Sequence, residues 1–459
     1  MFTFGNKFQL VTTTLLSLFT LFVFNLLCQK SSRPGGSLVL VHEPNPGNMP
    51  PNAAISAPTQ VNHNHVLSRP GFRFSVFQCI FDVPLDWEKA APSDNLFLQR
   101  PYLTAVEENP PKGLRFSYLI FYQNNVPAGV AYCQISPFSV ESSIQSGGDK
   151  KDKYPCIIRA FSRFLKNLVV GKNHNLLVCG NLLLTGEHGY FFKKEMDKAV
   201  AFDLLEEALL DVQDDWEKQK VNIDGIFIKD VLEDHRAPGK VLVERKFREF
   251  TFHPNMVLTI PENWQSFEDY MEAISSKYRV RAKKAFRQGE HIERRELTES
   301  QIFSLKTRLY ELYQLIVDKQ DFNMVTLNEN YLPALKTNLG DRFRIFGYYL
   351  DGELIGYYTT ILNYGELEAH FLGFQPECNK TCQVYLNMLF DILRSGIEQK
   401  SHKVIYARTA MEIKSSVGAT AHEMYCYIRA NNRLTNKILP PILEYLRPPD
   451  DWVPRNPFK

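Results

Sequence analysis

The chain has almost no net charge. Its 53 Lys and Arg residues face 51 Asp and Glu, a formal balance of +2 over 459 residues. A global electrostatic drive toward nucleic acid is therefore excluded, while a local basic patch remains open. Cysteine is sparse as well. The eight thiols (Cys28, Cys79, Cys133, Cys156, Cys179, Cys378, Cys382 and Cys426) lack the density of a disulfide framework. Cys133 and Cys179 fall inside apolar, strand-like runs, which reads as buried thiols in a reducing compartment. Cys378 and Cys382 stand in C-x3-C spacing with no second Cys/His pair at zinc spacing nearby, so no metal is expected. A hydrophobic content of 44% and a charged content of 23% are those of a folded globular protein. The length corresponds to about three domains of ordinary size.

One apolar run is long. Phe8–Cys28 has no charged residue and about the length that crosses a bilayer as a helix. Lys7 on one side and Lys30 and Arg33 on the other leave its orientation undecided. A signal anchor is the favoured reading. A cleaved signal fits less well, because Leu26-Leu27 rather than a small residue precedes Cys28. The third reading is a start at Met49, which heads a Pro/Asn/Ala/Ser-rich stretch. Residues 31–71 read as a disordered linker. The expected location is the cytoplasm, or the inner membrane with the globular part on its cytoplasmic side.

Two distant stretches read as copies of one unit. Arg115–Ser136 and Arg342–Leu362 each hold an aromatic-rich run, a polar turn (Asn124-Asn125; Asp351-Gly352) and a second run with one glycine, Gly129 or Gly356. That pattern predicts a β-hairpin. Each copy continues as strand, polar loop, amphipathic helix and strand. In the first copy these are Asn175–Leu184, a Gly-rich charged loop, Ala199–Gln213 and Asp224–Lys229; in the second, Glu366–Phe374, the loop Gln375–Gln383, Val384–Lys400 and Lys403–Ala407. A helix crossover between sequential strands implies that the central pair is parallel. Phe97–Glu107 is expected as a helix against the sheet, Val140–Lys153 as an inserted surface loop, and Arg245–Ile260 as two short runs closing the first half.

The second half opens with Trp264–Gln288, expected as helix with Trp264, Phe267, Tyr270, Met271 and Ile274 as its apolar stripe. It turns basic at Lys277, Arg279, Arg281, Lys283, Lys284 and Arg287, with no acid among them. Such a run is either a solvated helix face or a phosphate-contacting arm. A helix over Glu299–Gln320 follows.

Ligands in α/β sheets bind at the carboxyl ends of diverging strands. That points to Asn379, Lys380, Thr381 and Gln383, ahead of the next helix, where exposed N–H groups and the helix dipole favour an anion. Simple N-capping by Asn379 or Thr381 is the competing reading. On the strand, Glu368 and His370 share a face by alternation and are candidate bases for an attacking amine; a partly solvated strand-face pair is the alternative. Arg408, Glu412 and Lys414 are too many charges for a buried connection, so they are exposed or paired in a cleft. A turn at Gly418 precedes the last strand, Met424–Arg429.

The succession of helix, hairpin, strand, phosphate-facing loop, helix and strand resembles the GNAT acyltransferase fold, and its tandem copies resemble the Fem-type group. The segment WQSFEDYMEAISSKYRVRAKKA is similar to the opening of a Fem-like second half. The tract ARTAMEIKSSVGA is similar to that after the last crossover helix in FemAB-like or BioF-like proteins. The resemblance spans roughly residues 75–455. It implies an α/β (α+β) chain of two tandem GNAT-like domains, 72–260 and 261–459, each a mixed, partly parallel sheet flanked by helices. The second is the expected catalytic half. It further implies N-acyl transfer to an amine, with acyl-CoA as co-substrate, Glu368 or His370 as base, and Asn379, Lys380, Thr381, Gln383, Arg408 and Lys414 toward the donor. One departure matters. GNAT enzymes carry [RQ]-x-x-G-x-[GA] for the CoA pyrophosphate, whereas Gln375–Thr381 has no glycine, and Gly180, Gly186 and Gly189 of the first copy miss the spacing. Two other readings stand beside acyl-CoA: a Fem-like aminoacyl-tRNA-dependent transferase of peptidoglycan cross-bridges, and a non-catalytic binding module of the same fold. Neither involves DNA.

Overall fold

The structure, a computed structural model, describes residues 63–138, 174–318, 325–446 and 452–459. The apolar run 8–28, Met49 and the insertion 140–153 lie outside them. Residues Gln60–Lys459 form one compact unit. Along the chain come β1 (His63–Val66), β2 (Phe72–Phe77), α1 (Arg100–Glu108), the hairpin β3 (Arg115–Gln123) and β4 (Val126–Phe138), then β5 (His174–Cys179) and β6 (Tyr190–Phe192). They are followed by α2 (Lys198–Lys218), β7 (Gly225–Leu232), β8 (Arg248–Thr251) and β9 (Asn255–Thr259). The second half supplies α3 (Phe267–Ala273), α4 (Ser276–Gln288), β10 (Glu293–Glu296), α5 (Glu299–Val317), α6 (Tyr331–Leu339) and the hairpin β11 (Phe343–Leu350) and β12 (Glu353–Asn363). It ends with β13 (Glu366–Phe374), α7 (Pro376–Cys382), α8 (Val384–Glu398), β14 (Lys403–Ile405), α9 (Met411–Ser415), β15 (Thr420–His422), β16 (Met424–Ala430) and α10 (Arg433–Leu446).

The repeat holds at the level of register. Both hairpin turns have two central residues at positive φ, Asn124 and Asn125 (49° and 64°) and Asp351 and Gly352 (52° and 83°). That is the backbone of a two-residue turn matched to strand twist. Phe121 pairs with Gly129 and Tyr122 with Pro127; Tyr348 pairs with Gly356 and Tyr349 with Leu354. Each hairpin therefore bulges by one residue beside the equivalent glycine. A Cβ on Gly129 would lie 2.5 Å from the Phe192 ring, so the glycine is required by β6 packed across it.

The two sheets are mixed, as expected, with one parallel pair each: β5 with β7, and β13 with β14. Their membership does not follow the 260/261 boundary. The first sheet runs β1-β2-β3-β4-β5-β7-β16-β8, and the second β10-β11-β12-β13-β14-β9-β15. β9, expected to close the first half, lies between β14 and β15; β16, the last strand of the second half, lies between β7 and β8. Each half lends a strand to the other's sheet. One apolar cluster also joins them, with Trp87, Phe97, Tyr102 and Tyr132 packed with Leu309, Tyr331, Leu335 and Tyr357.

Several local expectations are corrected. The linker ends before His63, because β1 pairs with β2 and His65 stacks on Phe74 at 4.7 Å. The helix expected over Phe97–Glu107 starts at Arg100, with Pro101 in its first turn, where proline's missing N–H costs nothing. Trp264–Gln288 is two helices: a Ser266–Asp269 capping box starts α3, and Ile274, extended at ψ 148°, ends it. The expected loop Gln375–Gln383 holds the helix α7, Pro376–Cys382, with Pro376 in its first turn. Leu204, Leu205, Ala208 and Leu209 of α2 bury against the first sheet as the spacing implies.

Because each sheet lacks the strand next to its edge without the other half, fragments 60–260 and 261–459 should be unfolded singly and fold on mixing. Circular dichroism of the fragments and their equimolar mixture checks this; two independently cooperative fragments would contradict the exchange.

Candidate functional site

The two parallel pairs end abruptly. β13 and β14 pair over three rungs, the last joining Glu368 and Ile405, while β5 and β7 pair up to Cys179 and Ile228. Beyond these rungs the strands part, and a β-bulge marks each opening. His370 and Phe371 together oppose Thr359, and Lys229 and Asp230 oppose Cys426. Bulges re-aim side chains, and Asp230 reaches φ 61°. Both openings contribute to one polar seam between the halves.

Glu368 is buried. Its carboxylate accepts a 3.4 Å hydrogen bond from the Asn363 amide and lies 4.0 Å from Nε2 of His188, a first-half residue. Burial, with the nearby Glu366 charge and against the Asn363 hydrogen bond, pushes its pKa up to about 8. Burial and the Lys229 charge push His188 down to about 4, against the pull of Asp230. At neutral pH the pair is a mostly protonated carboxyl beside a neutral imidazole. Nδ1 of His188 faces the Asn95 amide at 3.3 Å.

His370 leads into a second chain of polar groups. Its Nε2 is 2.8 Å from the Tyr331 hydroxyl, which is 3.5 Å from that of Tyr102; Asn181 donates to Tyr102 at 3.1 Å. Burial lowers His370 to about 3, so it stays neutral. Glu368 and His370 thus have separate partners, Asn363 and His188 for the one and Tyr331 for the other.

The third group is cationic. Lys229 and Asp230, both buried, form an ion pair, and Arg408 binds the other oxygen of Asp230. Although burial opposes ionisation, Arg408 and Lys229 hold Asp230 well below the usual carboxylate range. The Lys229 stem runs over Gly180, where a Cβ would meet it at 2.4 Å. Arg408 Nε donates to His253 O at 2.9 Å. Lys414, also buried, donates to Ala407 O and Arg408 O at 3.2 and 2.6 Å. Burial lowers it to about 7. The intervening turn holds Ala407, Thr409 and Ala410 at φ 57°, 67° and 47°, which costs on the order of 1 kcal/mol or more per residue. Such strain collects where surrounding structure holds a functional turn in place.

Asn379, Lys380 and Thr381 instead lie on α7, and Gln383 is the left-handed joint between α7 and α8. Asn379 Oδ1 accepts from Tyr385 N, in the first turn of α8, at 2.9 Å; the N-cap itself is Gln383, with no side-chain cap, and Lys380 and Thr381 are exposed. Among the described residues no hydrogen bond or ion pair links this set to Arg408 and Lys414. In the first half Asp197 is itself the N-cap of α2, its carboxylate accepting from Val200 N at 2.9 Å. On α4, Lys277, Arg281, Lys283, Lys284 and Arg287 are exposed, whereas Arg279 turns back to Ile274 O. Lys277, Tyr278 and Arg281 join Arg455 around a surface groove of about 270 Å³. No helix among the described residues is long and apolar enough to cross a membrane.

His188, Lys229, Asp230 and Tyr331 were not legible as site residues. The signal for Lys229 and Asp230 was available: a charged pair ends the buried strand DGIFIKD, as Arg408 follows the buried strand Lys403–Ile405.

Strand order, parallel pairs and twin hairpins define two copies of one α/β unit, each a mixed sheet with a hairpin and one parallel pair. No family model matches the chain, and no curated protein does. Solved structures to which it is similar include FemX (12% identity, TM-score 0.43, over 74% of this chain and 97% of that one). Others are L-PGS from Bacillus licheniformis (12%, 0.40, 75% and 94%) and a tandem GNAT protein from the clavulanic acid biosynthesis pathway (9%, 0.43, 75% and 91%).

The raised Glu368 pKa has a stability consequence. The folded state binds more protons than the unfolded state between the ordinary carboxylate range and about pH 8. Stability is therefore lost as pH rises through that window, by up to about 1.4 kcal/mol per pH unit. Glu368→Gln should flatten that part of a urea-unfolding pH series; an unchanged slope would show that Glu368 titrates normally.

Proposed function

We propose that the chain transfers an acyl group to an amine at the seam where Glu368 meets His188. The observation that carries this reading is the placement of Glu368. A buried carboxyl with its pKa near 8 sits on the last rung before two parallel strands part. A general base is most effective when its pKa lies near the working pH. The amine nitrogen bonds to the acyl carbonyl carbon, Glu368 takes the amine proton, and the thiol or hydroxyl of the donor leaves with a proton. His370, held neutral against Tyr331, keeps the wall beside Glu368 uncharged. Holding donor and acceptor together in the seam contributes much of the rate.

Acyl-CoA is the proposed co-substrate. Asn379, Lys380, Thr381 and Gln383 are the residues offered to it, from a helix rather than a glycine loop. A second donor, an aminoacyl-tRNA used as by a Fem-like transferase, is favoured by one observation. The five exposed cations of α4 stand with no acid on that helix. Either donor is cytosolic, which puts the globular part in the cytosol.

With a transferable donor and amine in hand, kcat/KM should rise through about pH 8, and Glu368→Gln should lower it by about a hundredfold or more. A variant with full activity would overturn the assignment of the base. For the second donor, Lys283→Glu with Lys284→Glu should weaken RNA binding and reduce its salt slope by roughly 0.7–0.9 for each phosphate no longer neutralised. Unchanged RNA affinity would remove that donor.

A further inference from the structure

A short turn of the first half orders the groups around Glu368. Asn95 caps the helical turn Leu96–Leu98, its Oδ1 accepting from Phe97 N at 3.1 Å. The turn is well anchored, because Phe97 is buried and Trp87 Nε1 donates to Leu98 O at 2.7 Å. Leu96 N donates at 2.9 Å across the seam to Oδ1 of Asn363, the last residue of β12. A backbone N–H can only donate, so each of the two amides has its oxygen committed and its NH2 group turned the other way. The Asn363 NH2 donates to Oε1 of Glu368 at 3.4 Å, and the Asn95 NH2 faces Nδ1 of His188 at 3.3 Å.

These contacts fix the tautomer of His188. In the neutral ring Nδ1 meets a donor and is the acceptor nitrogen, which leaves the hydrogen on Nε2. The other edge of the ring agrees. A Cβ on Gly186 would come within 2.7 Å of Nε2, and a backbone hydrogen bond at the neighbouring Thr185 raises the His188 pKa, the effect of an accepting carbonyl. Nε2 also lies 4.0 Å from Oε1 of Glu368. Oε1 therefore has two N–H groups beside it, whereas among the described residues Oε2 has no hydrogen-bond partner.

We propose that Asn95, Asn363 and His188 are positioning residues that divide the Glu368 carboxyl into a fixed oxygen, Oε1, and a reacting oxygen, Oε2. Oε1 keeps its donors whether the carboxyl is ionised or neutral, so a proton comes and goes at Oε2 without rearrangement of the site. His188 is a donor here and not a base: one nitrogen carries the hydrogen, and the lone pair of the other is held by Asn95. The catalytic role rests on the acyl-transfer reading; the tautomer and the division of the carboxyl do not. On that reading the amine nitrogen bonds to the acyl carbonyl carbon as its proton passes to Oε2. The same proton then goes to the departing thiolate or alkoxide. The base comes from the second half, and the turn that orients it comes from the first.

The test is nitrogen-15 NMR of the full chain with labelled histidine near neutral pH, His188 being assigned by its loss in His188→Gln. Wild type should show Nε2 protonated and Nδ1 unprotonated. Asn95→Asp keeps the cap on Phe97 N, since aspartate caps as well as asparagine, but it sets an acceptor against the ring. The variant should fold and place a hydrogen on Nδ1, a change that a purely structural Asn95 would not produce. In turnover it should lower kcat and leave KM unchanged, because Asn95 reaches Glu368 only through His188. A wild-type His188 with its hydrogen on Nδ1 would overturn the proposal, as would an Asn95→Asp chain whose Nδ1 stays unprotonated. If that variant does not fold, the wild-type spectrum decides alone. The spectra need no turnover, so the two readings separate. The wrong tautomer beside an inactive Glu368→Gln sinks the positioning and leaves acyl transfer standing; the expected tautomer beside a fully active Glu368→Gln does the reverse.

Discussion

The constraint on which the rest depends is that each parallel strand pair stops after three or four rungs. β13 stays with β12 to Phe374, whereas β14 leaves after Ile405 and stays with β9 from the other half. In the first sheet β7 leaves β5 after Ile228 and stays with β16. Each strand of a parting pair is held by a different neighbour, so neither opening can close by simple pairing. The polar groups that a continuous sheet would exclude, Glu368 and His370 on one side and Lys229 and Asp230 on the other, collect where the openings face each other.

This arrangement also explains why so much charge is buried without disrupting the core. Asp230 is matched by two cations and by Gly186 N at 3.0 Å, and His370 is matched by a tyrosine. His370, Lys229, Asp230 and Arg408 each have a partner supplied by a different element, and several partners come from the opposite half. A satisfied buried network fixes one arrangement of the chain. Here that arrangement is the docking of two repeated α/β units through exchanged strands and a shared aromatic cluster. Glu368 is less well matched: Asn363 offers it one long hydrogen bond, and the result is a raised pKa.

Much of the fold was legible because its determinants are local. Asn124-Asn125 and Asp351-Gly352 dictate tight hairpin turns, and Gly129 and Gly356 occupy equivalent rungs, so similarity in sequence became identity in register. The strand exchange was not legible. β9 and β16 are ordinary short apolar runs, and nothing within either states which sheet will accept it. Helix α7 was not legible because Pro376 and Asn379 suit a loop as well as the start of a short helix. Glu368 and His370 were singled out by alternation along their strand, and Arg408 and Lys414 as charges that follow one. His188 was not, because its relation to Glu368 spans 180 residues and exists only once the halves dock.

The central claim is that docking the halves creates an environment in which Glu368 is held protonated through neutral pH. A carbon-13 NMR titration of the Glu368 carboxyl, assigned by difference from Glu368→Gln, measures this directly. The account predicts a midpoint near pH 8 that moves when His188 is replaced by alanine. A midpoint in the ordinary carboxylate range, insensitive to His188, would contradict it.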